Sequence, residues 1–525
     1  MALLSENCRT LFLELAVYVW CYATRLLFHL WFFWRKPRRL PTASDPLLLR
    51  SATSLAADIR TGKISSVDVV SAYIRRIREV QPIINAVVEA RFEEALEDAE
   101  GADRLVASGS MSVHQLKQEK PLLGLPFTNK NSIAVKGLRQ DAGSLLWRGH
   151  RAAEDAPSVA LLRAAGAIPL ALTNVPELCM WDDATNLLDG CTLNPHDTRR
   201  SPGGSSGGEA SLLAAAGSLL GLGTDLGGSV RVPAMYCGVF GHKPTSGVVP
   251  NGGLLPDLGE GMGEYNCVGP LTRFSEDLPL MLSVLAGRAS DDLRLCEPVN
   301  LGSLKLYFID ADGSQYFSRV ASDVREAVRK VTRHMKEAHG IEPKRLDLPG
   351  MRYGLVTWFK ACVAKDPTPM SELFRPGGFN TFFELLRLLV GAGRHTLATL
   401  AACKMAPLFS FSSGEKAKAH LDSVEDLRDC FEKILGDNGV LVMPGATNTA
   451  PYHNQDLLMY DSPSMTALFN VLQVPATACP VMMSSNGLPL AVQVVARRGN
   501  DHLCLAVARE TEKRFGGWVD PGRNV

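Results

Sequence analysis

Residues Ser201–Ala234 read SPGGSSGGEASLLAAAGSLLGLGTDLGGSVRVPA. Two serine sites lie in this stretch with glycines on their flanks: Ser205-Ser206 between Gly204 and Gly207, and Ser229 after Gly227-Gly228. Glycine beside serine opens backbone turns closed to residues with a side chain and leaves amide N–H groups accessible. A serine nucleophile needs both, a sharp turn to present its hydroxyl and donors for an oxyanion. Between the two sites, Gly207 to Gly217 (GGEASLLAAAG) is rich in Ala and Leu and predicts a short helix with its N-terminus at Ser205-Ser206.

A serine hydroxyl reacts only when a base takes its proton. Histidine is the usual base, and the chain has 11. Gly203 to Gly207 fits the letters of a nucleophile elbow, but RRSP precedes it where that elbow needs a buried apolar strand. A Ser-His-Asp arrangement is open from composition and weak from pattern. Lysine is the other base. Lys130 follows PLLGLPF (residues 121–127), which reads as a buried strand or its end. Burial there disfavours the ammonium and lowers its pKa. Two further glycine patterns fail on spacing: Gly221-Leu222-Gly223 as a dinucleotide loop, and GVFGHKPT (residues 238–245) as a phosphate loop.

Taken in order, GLPFTNK, GGSSGGEASLLA, GLGTDLGGSVRVPA and the closing Gly487-Leu488-Pro489 with Gln493 resemble the amidase signature family of serine hydrolases, from about Leu48 to the C-terminus. Within it, LTNVPELCMW and GVFGHKPTSGVVPN are similar to the fatty-acid amide hydrolases, in particular their second type. The resemblance implies a single large α/β domain with a mixed central sheet covered by helices. It implies Ser229 as the acylated nucleophile, Ser205 as a bridging serine on a cis peptide, and Lys130 as the base. It further implies the amides of Leu226, Gly227, Gly228 and Ser229 as the oxyanion hole. Asp225 and Arg231 become the pair that braces the loop, and Ser206 a supporting hydroxyl. Cys179, Met180 and Trp181 stand where the family builds the acyl-side wall. The chain departs from the family at Asn131, where an acidic residue usually follows the lysine. The implied substrates are fatty amides and N-acylethanolamines, with no metal and no organic cofactor, and the resemblance leaves room for a homodimer.

Composition sets outer bounds. The 525 residues carry no net charge, so nothing electrostatic argues for nucleic acid as a partner. The 12 cysteines are scattered without metal-type or paired spacing, and there is no Asn-x-Ser/Thr sequon. Both features point to reduced thiols in a catalytic domain on the cytosolic side.

The N-terminal Leu11 to Trp34 is long and apolar enough to predict a membrane anchor, followed by the basic flank Arg35, Lys36, Arg38 and Arg39. It carries Glu14, Arg25 and His29, which disfavour burial in lipid, so an interfacial helix is the alternative. The expected organisation is an anchor over residues 1–40 and a catalytic domain over 41–525, on the endoplasmic reticulum or a lipid-droplet surface. Within the domain, residues 40–50 read as a linker, Ser54 to Val80 as a helix, Ile84 to Val88 and Ile168 to Thr173 as strands. Residues 298–436 carry no catalytic motif and read as an insert or cap. Inside them Phe379 to Leu408 predicts two apolar helices joined near Gly391-Ala392-Gly393: either core, or a cap that dips into a membrane over the acyl channel.

Overall fold

Lys130 closes a strand, Pro126–Lys130, in which all five residues are buried. In the computed structural model, which describes residues 2–295, 297–310, 319–348, 350–411, 413–459 and 462–523 (side chains from residue 16, without those of 352 and 462), that strand lies inside one mixed sheet. Among the described residues its strands are β1 (Val87–Ala90), β2 (Pro126–Lys130), β3 (Ile168–Thr173), β4 (Leu220–Asp225), β5 (Phe240–Lys243) and β6 (Cys267–Thr272), then β7 (Lys305–Phe308), β8 (Lys344–Arg345), β9 (Gly439–Pro444), β10 (Ala476–Met483) and β11 (Pro489–Ala496). Their order across the sheet is β1-β3-β2-β4-β6-β5-β10-β11-β9-β7-β8.

β2 runs parallel to both neighbours, β3 and β4. β4 then pairs antiparallel with β6. Buried on both faces by helices, the parallel trio reads as nearly continuous apolar runs such as IPLALT in β3. The carboxyl ends of the three strands bring Lys130, Thr173 and Thr224-Asp225 to one edge, the usual place for a site in an open α/β sheet. A large apolar core underlies the sheet, with Phe127, Leu172, Leu222, Val442 and Val494 all inaccessible. The chain is thus a single large α/β domain with a mixed sheet covered by helices.

Several local expectations shift. The helix expected over Ser54 to Val80 is two, Ala52–Arg60 and Ser66–Ile84, because Gly62 adopts a left-handed turn and Ser65 caps the second by accepting from the Asp68 amide. The second helix runs on to Ile84, so the following strand begins at Val87. Residues 40–50 are no free linker: Leu40, Ala43 and Leu48 are buried, and the Ala43 amide donates to Asp520. Nor is the region 298–436 wholly an insert. β7 pairs with β9 and carries the helix Ser322–His339 against the core, because that helix buries Val324, Val328, Val331 and Met335 on one face.

At the N-terminus, Ala2–Phe33 is one helix. It lies against the domain: Cys21, Thr24 and Phe32 are buried, Phe32 stacks on Tyr452, and Trp20 Nε1 donates to the Leu458 carbonyl. Among the described residues no helix is long and apolar enough to cross a membrane. This corrects the expected span over the part of it that is described. Arg25 and His29 dilute the apolar run after residue 15; the side chains of residues 11–15 lie outside the described ones.

Candidate active site

The C-terminal end of β2 delivers Lys130 to a fully enclosed position. Its Nζ donates to Ser205 Oγ at 2.8 Å and to Thr224 Oγ1 at 2.7 Å. Ser205 follows a cis peptide from Gly204 and precedes Ser206, from which the helix Gly207–Ala214 departs. Ser206 is buried; its amide donates to the Ser229 carbonyl at 3.2 Å and its hydroxyl reaches the Thr224 carbonyl at 3.5 Å. These contacts join the two serine sites of the quoted stretch. The start of this helix also packs tightly on the end of β3, which requires glycine at position 208, where a Cβ would lie 2.5 Å from the Asn174 backbone.

Ser229 sits on the turn after β4, and Asp225 shapes that turn. Its carboxylate accepts from the Gly228 amide (2.8 Å), the Val230 amide (3.1 Å) and both Arg231 Nε (3.0 Å) and Nη2 (2.9 Å). Asp225 and Arg231 are both inaccessible. Burial alone would raise the Asp225 carboxyl, but the Arg231 charge and these hydrogen bonds outweigh it and hold its pKa well below the carboxylate range. Of the four amides expected to form an oxyanion hole, Gly228 is therefore already spent on Asp225. Those of Leu226, Gly227 and Ser229 show no protein partner among the described residues.

Residues far downstream hold the loop from outside. Thr466 Oγ1 donates to the Gly227 carbonyl at 2.7 Å, and Trp358 Nε1 to the Leu226 carbonyl at 2.8 Å. Asn470 bridges Asp225 and Arg231, and Gln493 accepts from Arg231 Nη1 at 3.2 Å.

Burial drives the Lys130 pKa down, and the nearby Cys179, Asp225 and Glu209 only partly oppose it. Glu209 lies one turn along the helix from Ser205, accepting from Thr128 Oγ1 and Thr173 Oγ1 at 2.7 Å each. Burial pushes its pKa up to about 8 against those bonds and the Lys130 charge, so it is protonated at neutral pH. Asn131 directs its amide elsewhere, donating to the buried Asp141 at 2.6 Å, which pairs with Arg139 at 2.7 Å.

Two cavities meet at Ser229. One is lined by Ser132, Leu178, Ser205, Thr224, Leu255, Pro256 and Asn266, among others. The other is lined by Trp181, Asp182, Gly227, Trp358, Phe359, Met370, Ala402, Met405 and Pro463. Cys179, Met180, Leu226 and Ser229 line both. Leu178 and Cys179 reach this place through left-handed backbone at φ 49° and 61°. The preceding Glu177 anchors the helix Leu397–Met405, accepting from His395 Nδ1 (2.7 Å) and Thr399 Oγ1 (2.7 Å).

The structure thus brings together Lys130, Ser205, Ser206, Asp225, Ser229, Arg231 and the Cys179-Met180-Trp181 wall. Thr224, Glu209 and Asp182 join them without having been singled out. Thr224 had a readable signal, a hydroxyl one residue before the end of an apolar strand. Trp358, Thr466 and Asn470 had none, being more than 100 residues from the glycine-rich stretch.

Comparison with known proteins shows the family and the fold. The sequence profile of the family described as Amidase matches residues 68–505. The chain is 40% identical over 496 residues to fatty-acid amide hydrolase 2-B of Danio rerio, covering 93% of this chain and 94% of the relative. It is 39% identical over 489 residues to fatty-acid amide hydrolase 2 of Homo sapiens, covering 91% and 92%. Among solved structures, a fatty acid amide hydrolase superposes with a TM-score of 0.75 at 22% identity, over 90% of this chain and 86% of that one.

Proposed function

The chain belongs to the amidase family of amide hydrolases, and from that premise we propose that it cleaves fatty-acid amides through a Ser–Ser–Lys relay at a membrane surface. The observation that carries the reading is the 2.8 Å bond between enclosed Lys130 and Ser205, at the junction of two cavities that share Ser229.

Neutral Lys130 accepts the Ser205 proton while Ser205 takes that of Ser229, and Ser229 Oγ bonds to the amide carbonyl carbon. The amides of Leu226, Gly227 and Ser229 hold the oxyanion. One such donor is worth about 3–4 kcal/mol. The proton returns through Ser205 to the leaving nitrogen, the C–N bond breaks, and water then cleaves the acyl ester. Since Ser205 lines only one of the two cavities, that one takes the leaving amine and the other the acyl chain. The acyl cavity carries Trp358, Phe359 and Met405, an apolar lining suited to hydrocarbon.

The same helix that gives Ala402 and Met405 to this cavity pairs with Thr381–Leu389, whose Phe382, Phe383 and Leu389 are 60%, 60% and 74% exposed. Large apolar side chains crowded on one exposed face support a cap that enters the lipid interface beside the acyl entrance. The N-terminal helix adds Trp20, Leu27, Leu30 and Trp31 to the exposed apolar surface, and Trp34 just after it does the same, in keeping with interfacial anchoring. The scattered cysteines and the lack of an Asn-x-Ser/Thr sequon support a catalytic domain on the cytosolic side, at the endoplasmic reticulum or a lipid droplet. The named activity of the Danio and human relatives supports fatty-acid amides as the substrate class, and within it we assign N-acylethanolamines and primary fatty amides to this chain.

The test is hydrolysis of oleamide, N-oleoylethanolamine and a short-chain amide by the full chain, beside Ser229→Ala. Cleavage of the long amides that vanishes in the variant is expected. Cleavage confined to the short amide would discard the lipid substrate while keeping the chemistry.

A further inference from the structure

Asp182 stands out in the acyl cavity. It is one of the cavity's lining residues, its side chain is more than nine-tenths buried, and its Oδ2 has no hydrogen-bond partner. Its neighbour Asp183 is in a different condition. Asp183 accepts from Ser201 Oγ at 3.0 Å and the Ala184 amide at 2.8 Å, and lies 3.4 Å from His453 Nδ1. Two consecutive acids are thus treated oppositely, one fully partnered by protein and one with a buried oxygen left unpartnered in the wall of a cavity that otherwise offers Met180, Trp358, Phe359 and Met405.

The placement is rigid. The Trp181–Asp183 backbone packs on Gly204 so closely that a Cβ there would lie 2.6 Å from the Trp181 carbonyl oxygen and 2.7 Å from the Asp183 amide nitrogen. Gly204 is the residue before Ser205, so Asp182 is fixed relative to the reacting centre. Burial, and next the Asp183 charge, push the Asp182 pKa up to about 8, so near neutral pH it is a carboxylic acid with both a donor and an acceptor to offer. A plain hydrocarbon chain would bury that group unpartnered, which is unfavourable. A hydroxyl, itself both donor and acceptor, complements it.

We propose that Asp182 is a specificity-determining residue of the acyl cavity, selecting amides whose acyl chain carries a hydroxyl group. The proposal rests on the reading of the chain as a fatty-acid amide hydrolase and narrows its substrate class. Sites built to hydrogen-bond a substrate hydroxyl reject the analogue lacking it far more strongly than apolar pockets discriminate by size.

The experiment sets palmitamide against palmitamides bearing one hydroxyl at successive carbons, in pairwise competition on the full chain. At least one regioisomer is expected to show kcat/KM about tenfold or more above palmitamide. Asp182→Leu should erase that preference and raise the rate on palmitamide, whereas Asp182→Asn, which keeps a donor and an acceptor, should retain it. Competition reads a ratio within one tube, so partial loss of folded enzyme leaves it unchanged. Palmitamide preferred over every hydroxylated isomer, or a ratio unmoved by Asp182→Leu, would overturn the proposal. So would preference for an amino-substituted chain over a hydroxylated one. Cleavage of palmitamide without hydroxyl preference sinks this inference alone; no cleavage of any long amide sinks the fatty-amide reading with it.

Discussion

Lys130 and Ser205 face each other at 2.8 Å across the carboxyl edge of the parallel strands, with the lysine entirely withdrawn from solvent. Thr224 receives a second Nζ proton at 2.7 Å. Two neutral hydroxyls as partners leave an ammonium poorly compensated, and burial moves the lysine toward its neutral form. A sheet strand fixes one partner and a helix start the other, so the pair is preorganised.

The pH profile follows from that pair. In the proposed relay Lys130 acts in its neutral form, so kcat/KM should rise with pH through an ionisation lying below the ordinary lysine value of 10.5. Lys130→Met should lower kcat by about a thousandfold or more and remove that ascending limb. Stopped-flow or steady-state rates from pH 6 to 10 on a neutral amide check this. A Lys130→Met enzyme with the wild-type limb would refute the lysine base.

Glu209 makes a separate prediction about stability. Its folded pKa is raised by burial from 4.5 to about 8. Below the unfolded value both states are protonated; between the two values the unfolded chain sheds its proton first, so stability falls as pH rises through that window and levels off above it. Glu209→Gln keeps one acceptor oxygen for a threonine hydroxyl, puts an NH2 donor where the protonated carboxyl has its O–H, and removes the ionisation. Its Tm should match the wild type near pH 4.5 and exceed it by about 2–4 °C at pH 8. Scanning calorimetry across the window decides it, and a constant offset at all pH values would contradict the assignment.

The nucleophile loop depends on one residue the sequence advertises, Gly228, and on one it does not, Thr466. Gly228 has φ 133°, and a Cβ there would lie 2.9 Å from the Thr466 Cβ. Gly228→Ala should abolish turnover and fluorophosphonate labelling of Ser229, since the turn must move. Thr466→Val is gentler: it removes the 2.7 Å bond to the Gly227 carbonyl and a long 3.5 Å contact to the Pro463 carbonyl. It should cut kcat about tenfold with KM little changed, because the oxyanion donors lose alignment while the acyl cavity stays intact. Equal loss in KM and kcat would place Thr466 in substrate binding instead.

What was legible follows from locality. β3 and the helix after Ser206 were readable because each is a short run whose burial is written in its own letters, whereas the strand expected over residues 121–127 lies instead at Pro126–Lys130, because its buried Thr128, Asn129 and Lys130 are polar and are held by hydrogen bonds that no run of letters shows. Lys130, Ser205 and Ser229 carried their chemistry in flanking glycines or apolar residues. That the Gly228 amide donates to Asp225 was not legible, because Asp225 uses the same carboxylate to bind Arg231 and nothing in GLGTDLGGS tells which amide turns inward. Asp182 was silent since an acid next to Trp181 looks like any surface acid until the Gly204 contact buries it. Thr466, Asn470 and Trp358 reach the site only through the sheet order, which places β10 and β11 beside the elements after β4.

Membrane attachment by the cap is the last expectation, and it can be separated from catalysis. Phe382, Phe383 and Leu389 project outward, while Ala402 and Met405 on the paired helix line the acyl cavity. Charging the outward face should therefore weaken lipid binding without touching the reacting groups. Phe382→Glu, Phe383→Glu and Leu389→Glu together should lower the fraction of full chain that floats with phosphatidylcholine vesicles, and lower it further when Trp31→Glu and Trp34→Glu disable the N-terminal helix. Rates on a short water-soluble amide should stay within about twofold, since surface changes remote from a site rarely exceed that effect. Rates on oleamide presented in vesicles should fall about tenfold or more, because burying each large apolar side chain in the interface contributes on the order of 1.5–3 kcal/mol. Unchanged flotation with all five substitutions would show that neither surface meets the lipid, and would leave the exposed phenylalanines to a protein partner.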